Sequence, residues 1–298
     1  LLKFGNSQYS SAELEMAYHE MAVNAGISMM PSEIYETDGN KNFITKRFDR
    51  DRERKLHTQT LAAISPETES YEGLIAVCRK LHLPESDCQE VFRRLVFNIL
   101  SNNTDDHTKN FSFIMDETGK WRLSPAYDLT YIIDAGGYLP NTGHCMYVRA
   151  KLHNISYDDA IEFAKDNGIR RADSIIQAVV GSLKQFRTIA QKYAVQDRWI
   201  NTVEDAINRH LDLWGFANSN KTAVNLVING TQYNNVRIEQ TYKGNFHLYA
   251  NINGAERKYV IGKNKSEYGL IQSIGVSNLS KDLLADMVEK FLCHSDYC

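Results

Sequence analysis

The spacing of apolar residues divides this chain into three regions. The first, residues 1–50, combines strand-like alternation with one helical segment and gives the order β-α-β-β. In the second, 51–215, apolar residues recur mostly at helical spacing. In the third, 216–298, Asn, Gly, Val, Ile and Tyr dominate and apolar positions alternate again. The pattern therefore predicts an α+β protein with a mainly helical middle.

The first region opens with a strand predicted over 1–4. Ser10 and Glu13 have the spacing of a capping box, in which the Ser side chain accepts a hydrogen bond from the first-turn amides and the Glu side chain reaches back to the amide of the capping residue. They predict the start of a helix that ends near Asn24. A hairpin is predicted beyond it, with strands over 33–36 and 42–48.

The second region has its most regular helix over 85–101, where Val91, Leu95 and Ile99 fall on one face. A polar loop, 103–110, follows directly and leads into a hairpin. The predicted helices are 71–81, 85–101, 156–168, 171–193 and 196–214, and the hairpin strands are 111–115 and 121–123.

The third region reads as a separate small α+β domain of unassigned role. Its predicted elements are strands over 223–228, 236–240 and 245–251, followed by an amphipathic helix over 281–292. The change of composition places a domain boundary at 215–221.

Composition narrows the function classes. The chain has 298 residues, with 43% hydrophobic and 24% charged residues and a net charge of −3, which gives no bulk attraction to nucleic acid or to anionic membranes. Its five cysteines lack paired metal-ligand spacing and predict the reduced thiols of a cytoplasmic protein. No apolar run is long enough to span a membrane, and no signal peptide is recognised. The chain begins without Met in a predicted strand, so we expect further sequence upstream.

The polar loop 103–110 carries the strongest candidate chemistry. Asp105 and Asn110 lie five positions apart, and Asp128 follows in Ser-Pro-Ala-Tyr-Asp. Phosphate transfer from Mg-ATP needs a carboxylate for the acceptor hydroxyl, and a carboxamide and a second carboxylate for the metal. Each residue alone is more often a solvated or turn-capping group. Their combination favours phosphate transfer, with Asp105 at the hydroxyl and Asn110 and Asp128 at the metal.

Cationic side chains accompany this set. Lys109 could neutralise the transferring phosphate, and His107 could contact phosphate or hold the loop. Lys3 lies in an apolar strand and needs an anion, either ATP phosphate or Glu15 of the next helix. The Asp106-His107 pair also suggests metal-dependent HD phosphohydrolases, but these need His before Asp, and the order here is reversed.

A connector joins the β-rich region to the helical one. It includes Lys46, Arg47 and Phe48, and adenine would bond to its backbone groups. The same charged residues also fit a solvated linker.

Three motifs resemble one family when taken together. They are Thr104-Asp105-x-His107-x-Lys109-Asn110-Phe111-Ser112, Leu123-Ser124-Pro125-x-Tyr127-Asp128-Leu129 and Arg47-Phe48-Asp49-Arg50. In this order and spacing they are similar to the HipA-type serine/threonine kinases of bacterial toxin–antitoxin modules. The resemblance covers about residues 1–215.

This resemblance implies a bilobed protein-kinase-like fold and a set of site residues. The expected domains are a partial, β-rich N-lobe over 1–50, a helical C-lobe over 51–215 and the α+β appendage over 216–298. The cofactors would be ATP and Mg²⁺. Asp105 would be catalytic and Asn110 and Asp128 would bind magnesium, whereas the nucleotide would be bound or bordered by Lys3, Lys46, Arg47, Phe48, His107, Lys109 and Tyr127.

The resemblance also implies partners. Family members phosphorylate proteins, with aminoacyl-tRNA synthetases as the best-known target class, and thereby arrest growth. A small helix-turn-helix antitoxin restrains them and binds operator DNA, so DNA would be contacted only through that partner. No membrane partner is implied.

The chain departs from the family pattern in places. Asp106 replaces a residue that is often Gly and would add charge near the metals. The Gly-rich phosphate loop, with the family's autophosphorylated serine, should precede Lys3 and is not in this sequence. These departures keep a second hypothesis open, a nucleotide-binding regulator or pseudokinase. Phosphorylation of a small molecule is a third, because fold does not settle substrate.

Overall fold

The chain folds into two compact units, Leu1–Ile207 and Asn208–Cys298. A computed structural model describes residues 1–37, 39–52, 54–133, 143–216, 224–240, 246–253, 255–263, 265–274 and 279–292. The predicted boundary at 215–221 falls mostly outside the described residues, as do Cys293 and Cys298. The elements confirm a mixed α+β protein.

The chain begins in a small antiparallel sheet with strand order β1-β3-β2. These strands are β1 (Leu2–Lys3), β2 (Ser32–Thr37) and β3 (Asn40–Thr45). Helix α1 (Ser11–Asn24) packs on the sheet through a cluster of Ala12, Met16 and Phe43. This packing holds α1 against β3, the strand that pairs with β1.

The predicted capping box at the start of α1 does not form. Ser10 adopts a left-handed conformation with φ 46°, and its side chain makes no capping hydrogen bond. Instead, Ser10 Oγ accepts a hydrogen bond of 3.2 Å from the Gln196 amide. A long-range contact has therefore replaced the local one.

A second antiparallel sheet has the order β6-β7-β8, with strands His57–Thr60, Ser112–Met115 and Trp121–Leu123. Before it lie the short paired strands β4 (Arg50–Asp51) and β5 (Arg54–Lys55). The sequence pattern missed β6, because His-Thr-Gln-Thr shows no apolar alternation. Its pairing with β7 (Thr58 opposite Ile114) fixes it instead.

Helices also occupy much of residues 61–213. They are α2 (Leu61–Ile64), α3 (Tyr71–Lys80), α4 (Glu85–Ser101), α5 (Tyr157–Asp166), α6 (Ala172–Leu183), α7 (Phe186–Lys192) and α8 (Asp197–Leu213). Helix α4 is buried along most of its length and packs on α3 and α6. The helix predicted over 171–193 is divided into α6 and α7. The sequence pattern did not reveal this break, because the apolar residues keep their helical spacing across it.

The second unit contains an antiparallel sheet with the order β12-β11-β10-β9. Its elements are β9 (Val224–Ile228), β10 (Thr231–Gln240), β11 (Phe246–Ile252), β12 (Ala255–Ile261), α9 (Ser266–Ile274) and α10 (Lys281–Leu292). Leu248 of β11 and Val288 of α10 are fully buried in its core. Among the described residues, no helix is both long and apolar enough to cross a membrane.

Candidate active site

The polar loop 103–110 is anchored at the end of α4. Asn102 ends the helix in a left-handed conformation with φ 57°. The Asn103 amide donates to Asn98 O at 2.9 Å, and Asn103 Nδ2 donates to Asn98 Oδ1 at 3.0 Å. Asn tolerates a positive φ better than most residues, which is why the chain can turn sharply here. The loop thus leaves the buried helix in a defined direction.

The loop brings Asp105, His107 and Asn110 together. Asn110 Nδ2 donates a hydrogen bond of 2.7 Å to the backbone carbonyl of Asp105, and the Asn110 amide donates to His107 O at 2.8 Å. His107 Nε2 lies 3.8 Å from Asp105 Oδ1. The Asp105 side chain is 52% exposed. A fixed backbone therefore presents a carboxylate to solvent, and the amide oxygen of Asn110 takes no part in the hydrogen bond that its Nδ2 donates.

Contacts from helix α4 to the segment 123–126 determine the position of Asp128. Asp87 Oδ2 accepts from the Leu123 amide at 3.0 Å, and Arg94 Nη2 donates to the Ser124 carbonyl at 2.8 Å. The Ala126 amide then donates to Ser28 O at 2.7 Å. Asp128 itself has φ 59° and a side chain that is 45% exposed. The buried helix thus sets where this second carboxylate emerges.

Lys3 lies between two carboxylates. Its Nζ is 2.6 Å from Glu15 Oε1 and 2.5 Å from Asp128 Oδ1. Burial lowers the pKa of Lys3, but the two carboxylates outweigh this effect and leave the pKa above its ordinary value. Burial raises the pKa of Glu15, and the Lys3 ammonium offsets only part of that rise. With all three charged the cluster sums to −1, which favours the arrival of a cation.

Tyr127 links this cluster to the loop. Its hydroxyl donates to the Lys109 carbonyl at 2.6 Å, so Ser112 Oγ, also 2.6 Å away, is the donor to Tyr127. The ring stacks on Phe48 with centroids 5.4 Å apart. Burial raises the pKa of Tyr127, which keeps the hydroxyl protonated. A half-buried, neutral phenol therefore joins the segment before Asp128 to the loop that contains Asp105.

Cavities lie next to these groups. One, of about 130 Å³, is lined by residues that include Lys3, Glu15, Tyr127 and Asp128. Another, of about 550 Å³, is lined by residues that include Lys46, Phe48 and Arg122. Arg47 lines neither cavity, and its guanidinium donates hydrogen bonds of 2.8 and 2.6 Å to the Asp49 carboxylate. Lys109 is exposed and approaches Tyr127 through its backbone.

The described residues contain no group of three or more His, Cys, Asp and Glu side chains that could enclose a metal ion. Magnesium does not need such a group, because it is often bound by one or two carboxylates together with phosphates and water. The Asp128 carboxylate and the Asn110 amide oxygen are the kinds of ligand that such a site would use. The His107 Nδ1 atom is buried without a hydrogen-bond partner in the described part of the chain.

Asp106 was expected to add charge near the metals, and the structure places it elsewhere. Its carboxylate does not add charge at the surface of the site: the residue is 1% exposed. It accepts hydrogen bonds from Tyr71 Oη at 2.8 Å, His144 Nδ1 at 3.0 Å and the Cys145 amide at 2.7 Å. Sequence reasoning missed these partners, and no short-range signal identifies them.

Cys145 provides a test of this geometry. Its Sγ is 3.9 Å from Asp105 Oδ1, and burial, followed by the charges of Asp106 and Asp105, raises its pKa to about 11. Alkylation by iodoacetamide should therefore still accelerate from pH 8 to pH 10. Asp105→Asn should increase the rate at pH 8 by about 3- to 10-fold, as one like charge is lost. Mass spectrometry of the Cys145 peptide gives the rate, with Cys145→Ser as the blank; a plateau below pH 9 would contradict the placement.

Comparison with known proteins identifies the fold. Residues 1–187 match the HipA-like C-terminal domain. The chain belongs to that family. The resemblance stated from the sequence motifs is thereby confirmed, and it places this HipA-like protein in a family with kinase relatives.

Relatives of this chain include proteins that carry the name "Putative kinase". Y4mE of Sinorhizobium fredii is 21% identical over 219 residues, 66% of this chain and 52% of that protein. A Haemophilus influenzae protein is 25% identical over 210 residues, 58% of this chain and 60% of that protein. The HipA-like chain thus spans little more than half the length of either relative.

A solved structure shares the fold. The complex of HipA, HipB and operator DNA from Shewanella oneidensis MR-1 contains a chain that superposes with a TM-score of 0.58 at 17% identity. The match covers 72% of this HipA-like protein and 58% of the matched chain in the complex.

Proposed function

We propose that this HipA-like protein is a serine/threonine protein kinase that uses ATP and Mg²⁺. The observation that carries the proposal is the junction made by Tyr127. On one side Lys3 contacts Glu15 and Asp128, and on the other Tyr127 holds the loop that presents Asp105. A cation for phosphate, a carboxylate for metal and a carboxylate for the acceptor are thus joined through one half-buried side chain, Tyr127. These are the groups that phosphate transfer requires.

The residues divide between nucleotide and metal. Lys3 would bind phosphate oxygens, with Glu15 keeping its ammonium in place, and Asn110 and Asp128 would hold Mg²⁺. Bound Mg-ATP would supply the electrophilic γ-phosphorus and neutralise charge on its oxygens. The adenine site would be lined by Lys46, Arg47 and Phe48, mainly through backbone groups, and bordered by His107 and Tyr127. Lys109 would lie near the transferring phosphate.

Asp105 would orient the acceptor hydroxyl and take its proton. Its exposed carboxylate is accessible to a serine or threonine of another protein, and the hydrogen bond from Asn110 Nδ2 fixes its backbone. A carboxylate held in this way can act without rearrangement of the loop.

We further propose a cytoplasmic toxin role. Family membership supports it, and the fold match is to a HipA that was solved with HipB and operator DNA. The expected partners are a helix-turn-helix antitoxin, through which DNA would be contacted, and a protein substrate of the aminoacyl-tRNA synthetase class. The expected lobes are 1–50 and 51–215, with 216–298 as an appendage.

A nucleotide-binding regulator is the second candidate. The direct contact between Lys3 and Asp128 favours it, because each would have to leave the other before both could bind a nucleotide and its metal. Steady turnover of ATP at saturating concentration would exclude this candidate.

Calorimetry of Mg-ATP binding tests the proposal, followed by transfer of labelled γ-phosphate to lysate proteins. Lys3→Met and Asp128→Asn should each weaken binding by about 10- to 100-fold, since hydrogen bonds to charged groups contribute roughly 1.5–3 kcal/mol. Lys165→Met, which removes an exposed lysine of α5, is the control and should bind like the wild type. Unaltered binding in both site variants would refute the proposed site.

A further inference from the structure

Asp106 is a buried carboxylate beside the exposed Asp105. It receives hydrogen bonds from Tyr71, from His144 and from the backbone amide of Cys145. Burial, and then the charge of Asp106, raises the pKa of Tyr71 well above its usual value, so its hydroxyl stays a donor. A carboxylate this deeply buried is tolerated only where donors surround it. Its contacts join three segments that are distant in sequence.

The network continues into α4. Asn98 Nδ2 donates to the Tyr71 hydroxyl at 2.9 Å, and Asn103 Nδ2 donates to Asn98 Oδ1 at 3.0 Å. Tyr71, Asn98, Asn103 and Asp106 are each at most 1% exposed. The polar loop is therefore fixed on both sides of Asp105, at Asn103 and at Asp106.

The third segment, 144–149, alternates between buried and outward side chains. His144, Met146 and Val148 are buried, whereas Cys145 and Tyr147 face outward. Backbone hydrogen bonds of 2.9 and 3.0 Å join Tyr147 to Glu69 and Tyr71. The outward Cys145 Sγ is the atom that lies 3.9 Å from the Asp105 carboxylate. This segment therefore adjoins the place where an acceptor hydroxyl must approach Asp105.

We propose that Asp106 is a positioning residue: its carboxylate docks segment 144–149 against the polar loop, and the docked segment forms one wall of the site for the acceptor serine or threonine. This proposal rests on the proposed kinase function. Asp106 acts through Cys145, His144 and the loop, and it touches neither acceptor nor nucleotide. The nucleotide contacts of Lys3 and Asp128 do not involve it, so nucleotide affinity and transfer should separate.

Asp106→Ala and Asp106→Asn distinguish docking from other roles. Alanine at position 106 removes both carboxylate oxygens that accept these hydrogen bonds. The amide of the second variant can accept from the Cys145 amide and donate to the Tyr71 hydroxyl and to His144 in its other tautomer, so docking should survive. Ser182→Ala is the control for a lost buried hydrogen bond, since Ser182 Oγ donates to Met21 O between α6 and α1. The acceptor is a mixture of synthetic peptides with a central serine or threonine.

For Asp106→Ala we expect kcat to fall by about 30- to 100-fold with a raised KM for the peptides, as misplacement by about 1 Å can cost 100-fold. The dissociation constant for Mg-ATP should change less than about twofold. Hydrogen exchange of the 144–149 amides should accelerate at least about tenfold. Asp106→Asn should keep at least about a tenth of kcat, and Ser182→Ala should melt earlier with unchanged kcat.

These measurements test the positioning role of Asp106 separately from the proposed kinase function. Unchanged amide exchange or unchanged kcat in Asp106→Ala overturns the positioning role. Equal inactivity of Asp106→Asn and Asp105→Asn also overturns it, and would make Asp106 a reacting group. If the wild type transfers no phosphate to peptide or lysate protein, the proposed function fails and the acceptor wall fails with it, whereas accelerated exchange in Asp106→Ala would still establish the docking.

Discussion

Asp105→Asn is expected to lower the rate of phosphate transfer by about 100- to 10,000-fold, the range that general base catalysis contributes. The amide keeps the size of the side chain but has no charge to accept the proton of the acceptor hydroxyl. The fold should be unaffected, because the Asp105 side chain is half exposed and the Asn110 hydrogen bond goes to its backbone carbonyl. The measurement is single-turnover transfer of labelled γ-phosphate at saturating Mg-ATP.

Asp158→Asn is the matched control, since Asp158 is an exposed carboxylate in the first turn of α5. It should transfer phosphate at the wild-type rate. Binding of Mg-ATP to the Asp105→Asn protein should stay within about threefold of wild type, because Asp105 is assigned to the acceptor. A variant that retains more than a tenth of the wild-type rate would remove Asp105 from the chemistry.

Much of the site could be predicted because its signals are local. Asp105, His107 and Asn110 lie within six consecutive positions, so one loop conformation brings them together. The helix before them, 85–101, was predicted with the bounds of α4, since a long amphipathic period is the most reliable sequence signal. Family membership, confirmed by the comparisons, rests on the order and spacing of such local motifs.

The buried contacts of the polar loop 103–110 could not be predicted from the sequence. Asp105 and Asp106 are the same residue type in adjacent positions, yet one is exposed and the other buried. The burial of Asp106 depends on Tyr71 and His144, which are 35 and 38 positions away. Composition and periodicity contain no information about such pairings, because they are set by how the helices pack. The Ser10 cap failed for the same reason, through Gln196.

Arg94 shows how a buried charge can connect stability to the site. In the sequence it interrupts the apolar face of α4, and in the structure its side chain is 2% exposed. It bonds to Glu90 Oε1 at 2.9 Å and to the Ser124 carbonyl at 2.8 Å. Glu90 in turn accepts from the Ser28 amide at 3.0 Å. The pair thus holds the two segments that meet just before Asp128.

Arg94→Met is expected to lower the free energy of unfolding by about 1–3 kcal/mol, because the Ser124 carbonyl loses its donor while the half-buried Glu90 carboxylate retains Arg93, at 3.7 Å, as a cationic partner. Urea unfolding followed by tryptophan fluorescence measures it. The double variant Arg94→Met, Glu90→Met should be less destabilised than Arg94→Met alone, because it also removes the carboxylate that Arg94 compensates, and Arg93 keeps its hydrogen bond to the Ala25 carbonyl. Arg122→Ala, at an exposed position, should change stability by less than about 0.5 kcal/mol.

The double variant also separates stability from function. It restores an apolar interior but not the donor to the Ser124 carbonyl, so the segment that ends at Asp128 loses a fixed point. We therefore expect it to bind Mg-ATP about tenfold more weakly than wild type while remaining folded, as one hydrogen bond to a charged group contributes roughly 1.5–3 kcal/mol. Wild-type affinity in a folded double variant would mean that Asp128 is positioned without Arg94.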